Sequence, residues 1–194
     1  TGEVLNYSGA TVSDSNVATG SKYISAITIE DNGAVLASNY NMPTLNATNT
    51  PASITAKTVS LEASRVYNGT TDLTGSVTVT TGVGSETLTH NGTTSSSKDV
   101  LVSNKFINAI SLLDASDGSG GLATNYQLPA LDSEHAPVSL SSKLVTLSAE
   151  KTYDGNLDLS TAVTVDSGVT GEILSYSNAM ASDKNVDDFE KYIQ

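Results

Sequence analysis

Two histidines, His90 and His135, are the only side chains in this sequence whose ordinary pKa suits proton transfer near neutrality. General-base work also needs a positioned partner of matched pKa. His135 lies in the polar run DSEHAP, where solvent exposure is the default, and His90 occupies a place that Tyr7 and Tyr176 fill elsewhere in the chain. Paired carboxylates would permit glycoside hydrolysis, but Glu3, Glu86 and Glu172 each stand alone on a Ser/Thr-rich stretch. Serine is abundant, yet no G-x-S-x-G elbow presents one as a nucleophile. No catalytic residue is expected, and the chain is not read as an enzyme.

Binding chemistry is scarcely better represented. The run Asp114-Ala-Ser-Asp117-Gly-Ser-Gly has the oxygen-rich look of a cation loop. Calcium wants six to eight oxygens, often with a bidentate carboxylate, and no glutamate closes this loop. The matching loop of an earlier copy, Glu30-Asp31-Asn32-Gly33, is shorter and differently laid out. A plain turn is therefore the expectation; calcium is the one cofactor left open, and no metal ligand set is assigned. Lys22, Lys105 and Lys191 recur at matching places, which would suit a lysine–asparagine crosslink; none is expected, and an ammonia-sized mass loss would reveal one. Asn6, Asn46, Asn68 and Asn91 head Asn-x-Ser/Thr sequons, and Asn68 has a turn role that accounts for it without sugar.

Charge removes further classes. Against 21 Asp and Glu stand 9 Lys and Arg, a formal net charge of -12. A nucleic-acid binder needs clustered cations to displace counterions, and Arg65 is the only arginine among scattered lysines. The same balance argues against a helix lying on anionic lipid. No apolar run approaches the ~20 residues of a spanning helix. There is no cysteine, hence no disulfide and no thiolate metal site. The chain opens on Thr with no visible leader, and the expectation is an internal piece of something longer.

An internal repeat organises these residues. Positions 57–100 align without a gap on 143–186, at an offset of 86, with about 18 of 44 identical. Glu3, Leu5, Tyr7 and Val17 fall in phase with Glu86, Leu88, His90 and Val100. KYI (22–24), KFI (105–107) and KYI (191–193) coincide, as do NYNMP (39–43) and NYQLP (125–129). The one length change is in a Gly/Ser-rich stretch, DASDGSGGLATNY against EDNGAVLASNY, which marks a surface loop. The expected division is the C-terminal part of a repeat at 1–56, a complete repeat at 57–142, and the N-terminal part of another at 143–194.

The elements that must carry these residues are strands. Val59, Leu61 and Ala63 alternate with polar residues, as do Val77 and Val79, a period of two. Asn68-Gly69 and Asp154-Gly155 stand where a strand should reverse. Phe106, Ile110 and Leu112 share one parity and Ile107 and Ala109 the other, which predicts a central strand buried on both sides. The best helical turn, and a weak one, is Ser182–Asp188. Ile54 and Ala56 are apolar at even numbers, then Val59 and Leu61 at odd ones; Val138 and Leu140 precede Val145 and Leu147 in the same way. A parity change swaps the buried face of an extended chain, so one nearly continuous segment should leave one core and enter the next at Lys57 and Lys143. The expected fold class is all-β: tandem immunoglobulin-like β-sandwich repeats of about 86 residues in an elongated rod, with β-grasp-like repeats as the alternative.

The phrase Lys151-Thr152-Tyr153-Asp154-Gly155, its variant Arg65-Val66-Tyr67-Asn68-Gly69, the later S-D-K-N-V (182–186) and S-S-K-D-V (96–100), and the closing N-Y-x-[LM]-P occur in fixed order. This pattern resembles the YDG and MBG-type repeats of large secreted bacterial adhesins, including filamentous-haemagglutinin-like proteins exported by two-partner secretion. The loop that in that family reads D-A-G-N-Y stands here as S-N-Y (38–40) and T-N-Y (124–126). The resemblance implies a β-rich stalk or fibre repeat on the bacterial cell surface or in an extracellular biofilm matrix. Its partners would be neighbouring repeats and other copies of itself, with no nucleic acid and no membrane insertion. A different class, a carbohydrate- or protein-binding module with a glycan or surface ligand, would need an exposed aromatic platform. The eight tyrosines mostly recur in phase, which fits core or corner roles better.

Overall fold

The computed structural model describes residues 2–186 and 190–194. Among these the chain is nearly all β, with 3-10 turns at Ala37–Asn39 and Ala123–Asn125 as its helical content. The strands are β1 (Asn6–Val12), β2 (Ile24–Glu30), β3 (Lys57–Thr58), β4 (Ser60–Val66), β5 (Val77–Thr80), β6 (Thr89–Ser95), β7 (Ile107–Leu113), β8 (Tyr126–Gln127), β9 (Val138–Ser141), β10 (Thr146–Ala149) and β11 (Val163–Asp166). They form small sheets: β1-β2, β6-β7, β10-β11, β3-β8 and the three-stranded β5-β4-β9.

The chain divides into two compact units. The first runs to Leu61 and adds Thr78–Asn91 and Ser111–Ala130; the second holds Glu62–Val77, Gly92–Ile110 and Leu131–Gln194. Segment 57–142 contributes to both, so the stretch around Lys57 lies inside one unit and the stretch around Lys143 inside the other.

In the first unit β1 pairs antiparallel with β2. The ladder steps from Ser8 opposite Thr28 to Thr11 opposite Ala26, leaving one extra residue on β1. Gly9 has φ 60 at this bulge, and its counterpart Gly92 in β6 has φ 63. Two ladders are parallel. Lys57 and Thr58 lie opposite Tyr126 and Gln127. In the second unit Ala63–Val66 lie opposite Val138–Ser141.

The alternation in β4 places Leu61 and Ala63 inward with Val59 just before them; these are 3%, 5% and 2% exposed. Before Lys57 the half-buried residues are Ala52, Ile54 and Ala56, so the inward parity changes there as the sequence predicts. Val138 and Leu140 are buried in β9, and beyond Lys143 the parity passes to half-buried Val145. Among the described residues, the buried hydrophobic ones all fall within 57–142 except Leu159 and Ala179, and Leu73 and Ile107 are completely enclosed.

Two expectations are corrected. The strand predicted to be central, β7, does bury Ile107 and Ile110 on different faces, but its ladder is with β6 alone. On its other side a bridge pairs Phe106 with Pro137, through Ile107 N–H to Ala136 O and Val138 N–H to Lys105 O, both at 2.9 Å. No helix forms over Ser182–Val186, where Asn185 N–H bonds the Asp183 carboxylate at 2.6 Å instead; Asp187 and Asp188 lie outside the described residues.

Candidate functional site

The residues that recur in the sequence come together in a loop clasp built three times over. Ser13, Ser96 and Ser182 each donate N–H to the carbonyl of Tyr23, Phe106 and Tyr192, at 2.9 Å in every case. Each serine Oγ accepts the N–H returned by that aromatic residue, at 3.2, 3.1 and 3.0 Å. Lysine completes the clasp. Lys22 and Lys105 are 6% and 7% exposed. Lys22 Nζ donates to the carbonyls of Val17, at 3.1 Å, and Thr19. Lys105 Nζ donates to those of Val100, at 2.9 Å, and Val102. Lys22 and Lys105 therefore satisfy loop carbonyls, and their ammonium groups have a structural role.

A second cation closes the wide connection after β4. Arg65 donates to the carbonyls of Thr70 and Asp72. Lys151 reaches the Asp158 carbonyl at 2.7 Å and the Asn156 side chain at 2.8 Å. Within these connections Asn68 Oδ1 and Asp154 Oδ1 each accept an N–H two residues on, at 3.1 Å, and Gly69 and Gly155 both have φ 81. The turns predicted from sequence are thus present.

The solitary glutamates accept from tyrosine. Backbone turns present them: Glu86 N–H bonds Val83 O at 3.0 Å and Glu172 N–H bonds Val169 O at 3.1 Å. The Tyr126 hydroxyl donates to Glu86 at 2.6 Å, and the Tyr40 hydroxyl to Glu3. Tyr67 of segment 57–142 donates to Glu172 of segment 143–194, and Lys98 Nζ stands 3.8 Å from the same carboxylate. A cavity of about 350 Å3 borders Tyr67, Leu101, Lys143, Val169 and Glu172. Gly69 lies so close to this segment that a Cβ on it would meet Val169 Cγ1 at 2.5 Å. In the first unit, Asn125 bridges the earlier junction: its Oδ1 accepts Val17 N–H at 2.8 Å and its Nδ2 donates to Asn16 Oδ1 at 3.0 Å.

The remaining residues weighed for chemistry fall elsewhere. His90 Nδ1 is buried with no hydrogen-bond partner. Its counterpart Tyr176 uses its hydroxyl to accept Val163 N–H at 3.1 Å. His135 and Asp132 are both about half-exposed and bond at 2.8 Å, as part of a turn in which Asp132 Oδ1 also accepts two N–H groups. Asn46 takes the same part in the earlier segment, accepting from Thr48 and Asn49 N–H, and Asn6 Nδ2 bonds Asp31 O at 3.0 Å. Asn91 is exposed. In the loop weighed for calcium, Asp114 Oδ1 accepts Ala123 N–H at 2.8 Å, and Asp117 accepts Ser119 N–H and the Thr87 hydroxyl at 2.9 and 2.7 Å. Among the described residues no three metal-binding side chains stand together. Nor is any helix long and apolar enough to cross a membrane.

These hydrogen bonds set the acid response. The Thr87 hydroxyl, with help from Ser119, holds the Asp117 carboxyl down at about 2. Thr74 lowers that of Asp72, His135 that of Asp132, and Lys151 that of Asp154. A depressed carboxyl contributes stability that is present above its unfolded value and is lost as pH falls through its folded value. The melting temperature is therefore expected to fall between pH 3.8 and about 2. Asp117→Asn should flatten that fall, and an unchanged profile in the variant would exclude Asp117 as a contributor. At the alkaline end Tyr126 is raised by burial and then by Glu86, Tyr67 by Glu172 and Tyr40 by Glu3. Their contribution is complete below pH 10.0 and is lost above it as each hydroxyl ionises. No protein-family model, no curated protein and no solved structure matches this chain.

Proposed function

We propose that the chain is a stretch of structural repeats from a long secreted bacterial adhesin or extracellular filament, of the YDG/MBG kind, at the cell surface. In this reading each repeat of about 86 residues is an immunoglobulin-like sandwich. Segments 1–56, 57–142 and 143–194 are then the end of one repeat, a whole one and the start of another. The work of the protein is to span distance, and its partners are the neighbouring repeats.

The observation that carries this is where the recurring residues go. Tyr67 of the Y-N-G phrase and Lys98 of the S-S-K-D-V phrase both reach Glu172 of the following segment. Asn16 and Val17 of the corresponding S-D-S-N-V phrase reach Asn125 of the T-N-Y loop. Three short motifs that have no chemistry in common thus share one task, joining one segment to the next. Packed, hydrogen-bonded junctions without a polar linker favour a semi-rigid array, whose stability is roughly a sum over units and interfaces.

Small-angle scattering on chains carrying increasing numbers of the 57–142 repeat tests the reading. The maximum dimension is expected to grow in proportion to repeat number. Growth as its square root, the behaviour of flexibly linked beads, would refute the rod.

A further inference from the structure

Three Asn-Gly pairs occur in the chain, at 32–33, 68–69 and 91–92. Asparagine before glycine is open to one reaction that needs no enzyme, because glycine puts no side chain in the way of its own nitrogen. That nitrogen attacks the asparagine Cγ. The N–Cγ bond forms, the Cγ–Nδ2 bond breaks, and ammonia leaves, carrying the proton that the glycine nitrogen gives up. The cyclic imide then takes up water. Opening at Cγ gives aspartate in an ordinary chain, and opening at the main-chain carbonyl gives isoaspartate. The dipeptide is the same at all three places, so what the fold does to each amide decides which one reacts.

Two of the three are held. Asn32 bonds Val35 through both its N–H and its carbonyl, at 3.0 and 3.1 Å, and its amide nitrogen, the group that must leave, donates to Val4 O at 3.0 Å. Asn91 lies inside β6, whose ladder to β7 fixes its backbone. Asn68 is exposed in the connection after β4, outside any ladder, and among the described residues nothing accepts the Gly69 N–H. Its Oδ1, where charge gathers as the nitrogen adds, accepts the Thr70 N–H at 3.1 Å and the Thr70 hydroxyl at 3.0 Å. Arg65 Nη1 donates to that hydroxyl at 3.4 Å. Donors aimed at a developing oxyanion lower the barrier to forming it.

The same turn in the next segment already carries the product. Asp154-Gly155 stands in the place of Asn68-Gly69, with Gly155 at the same φ of 81 and Asp154 Oδ1 accepting Asn156 N–H at 3.1 Å. Lys151, in the place of Arg65, pairs with Asp154 at 2.8 Å. Arg65 lacks such a partner: it donates to the Thr70 and Asp72 carbonyls, but its buried Nε bonds nothing. A buried donor left unsatisfied costs free energy, and a carboxylate at 68 would face the guanidinium as Asp154 faces Lys151. We infer that Asn68-Gly69 is a self-modifying site, at which Asn68 loses ammonia through attack by the Gly69 nitrogen and becomes an aspartate that pairs with Arg65. The turn then reads Tyr-Asp-Gly, as it does at 153–155. Isoaspartate would lengthen the main chain by one carbon inside the span that Arg65 closes, so the folded turn favours aspartate.

Prolonged incubation of the whole chain near neutral pH tests this, with peptide masses read at each pair and chromatography separating the two isomers. Asn68 is expected to convert several-fold faster than Asn32 or Asn91. In urea strong enough to unfold the chain, the three rates should converge, since only the fold distinguishes them. The aspartate share at 68 should be higher in the folded chain than in urea. Thr70→Val removes the hydroxyl donor and should slow Asn68 several-fold while Asn32 and Asn91 keep their rates; unfolding of that variant would show itself by raising the other two. Asn68→Asp should melt no lower than the parent, and any gain should shrink in salt, which screens an exposed ion pair. Conversion at 68 no faster than at 32 and 91 in the folded chain would overturn the inference. So would an isoaspartate share that folding leaves unchanged, or a lower melting temperature for Asn68→Asp.

Discussion

Gly69→Ala is expected to destabilise the chain by about 2–5 kcal/mol, against about 1–2 for Gly155→Ala. The two glycines hold the same place in successive Tyr-Asn/Asp-Gly turns and share φ 81, so an L side chain is strained equally at both. What differs is the neighbour. A Cβ at 69 meets Val169 Cγ1 at 2.5 Å, whereas one at 155 finds only the Tyr153 hydroxyl, at an ordinary 4.0 Å. The excess for Gly69 measures how closely segment 143–194 packs on the turn before it. Urea unfolding followed by tyrosine fluorescence gives both values, because the chain has no tryptophan to mask the signal. Equal losses would mean that the junction contributes nothing to stability, and the proposed rod would lose its physical basis.

Ile107→Ala should cost about 2–5 kcal/mol, the loss for truncating an enclosed branched side chain. Its counterparts Ile24 and Ile193 are half-buried, so the same change at either should cost much less. Ile107 is 0% exposed, in a segment that also holds Leu61, Leu73, Val138 and Leu140 in its interior. Thermal melts of the three variants distinguish one enclosed isoleucine and two half-buried ones from three equivalent positions. A loss for Ile193→Ala as large as that for Ile107→Ala would contradict the unequal burial.

What the sequence disclosed is what local pattern encodes. Alternation marked β4, the Asn-Gly and Asp-Gly pairs marked the turns at Gly69 and Gly155, and the parity change at Lys57 marked where the inward face switches. Partners distant in sequence left weaker traces. Nothing in Val138–Ser141 says that it runs parallel to Ala63–Val66, since alternation specifies a face and not a neighbour. The recurrence of Lys105 carried no sign of its role, because its partners are backbone carbonyls, which have no residue-type signature. Glu86 and Tyr126 recur together with Glu3 and Tyr40, and that shared recurrence was the available sign of their pairing. Tyr67 shows its role only through Glu172, a partner 105 residues on, which no local pattern announces.

The parallel ladder between β4 and β9 joins the first long strand of segment 57–142 to its last. Tension applied through the chain would draw β4 back toward Lys57 and β9 onward toward Lys143, in opposite directions along one line. The interstrand bonds then bear shear together, where an antiparallel hairpin pulled at its open end would yield bond by bond. Under such a pull the four-residue seam would resist sudden stretching beyond what the modest interior suggests.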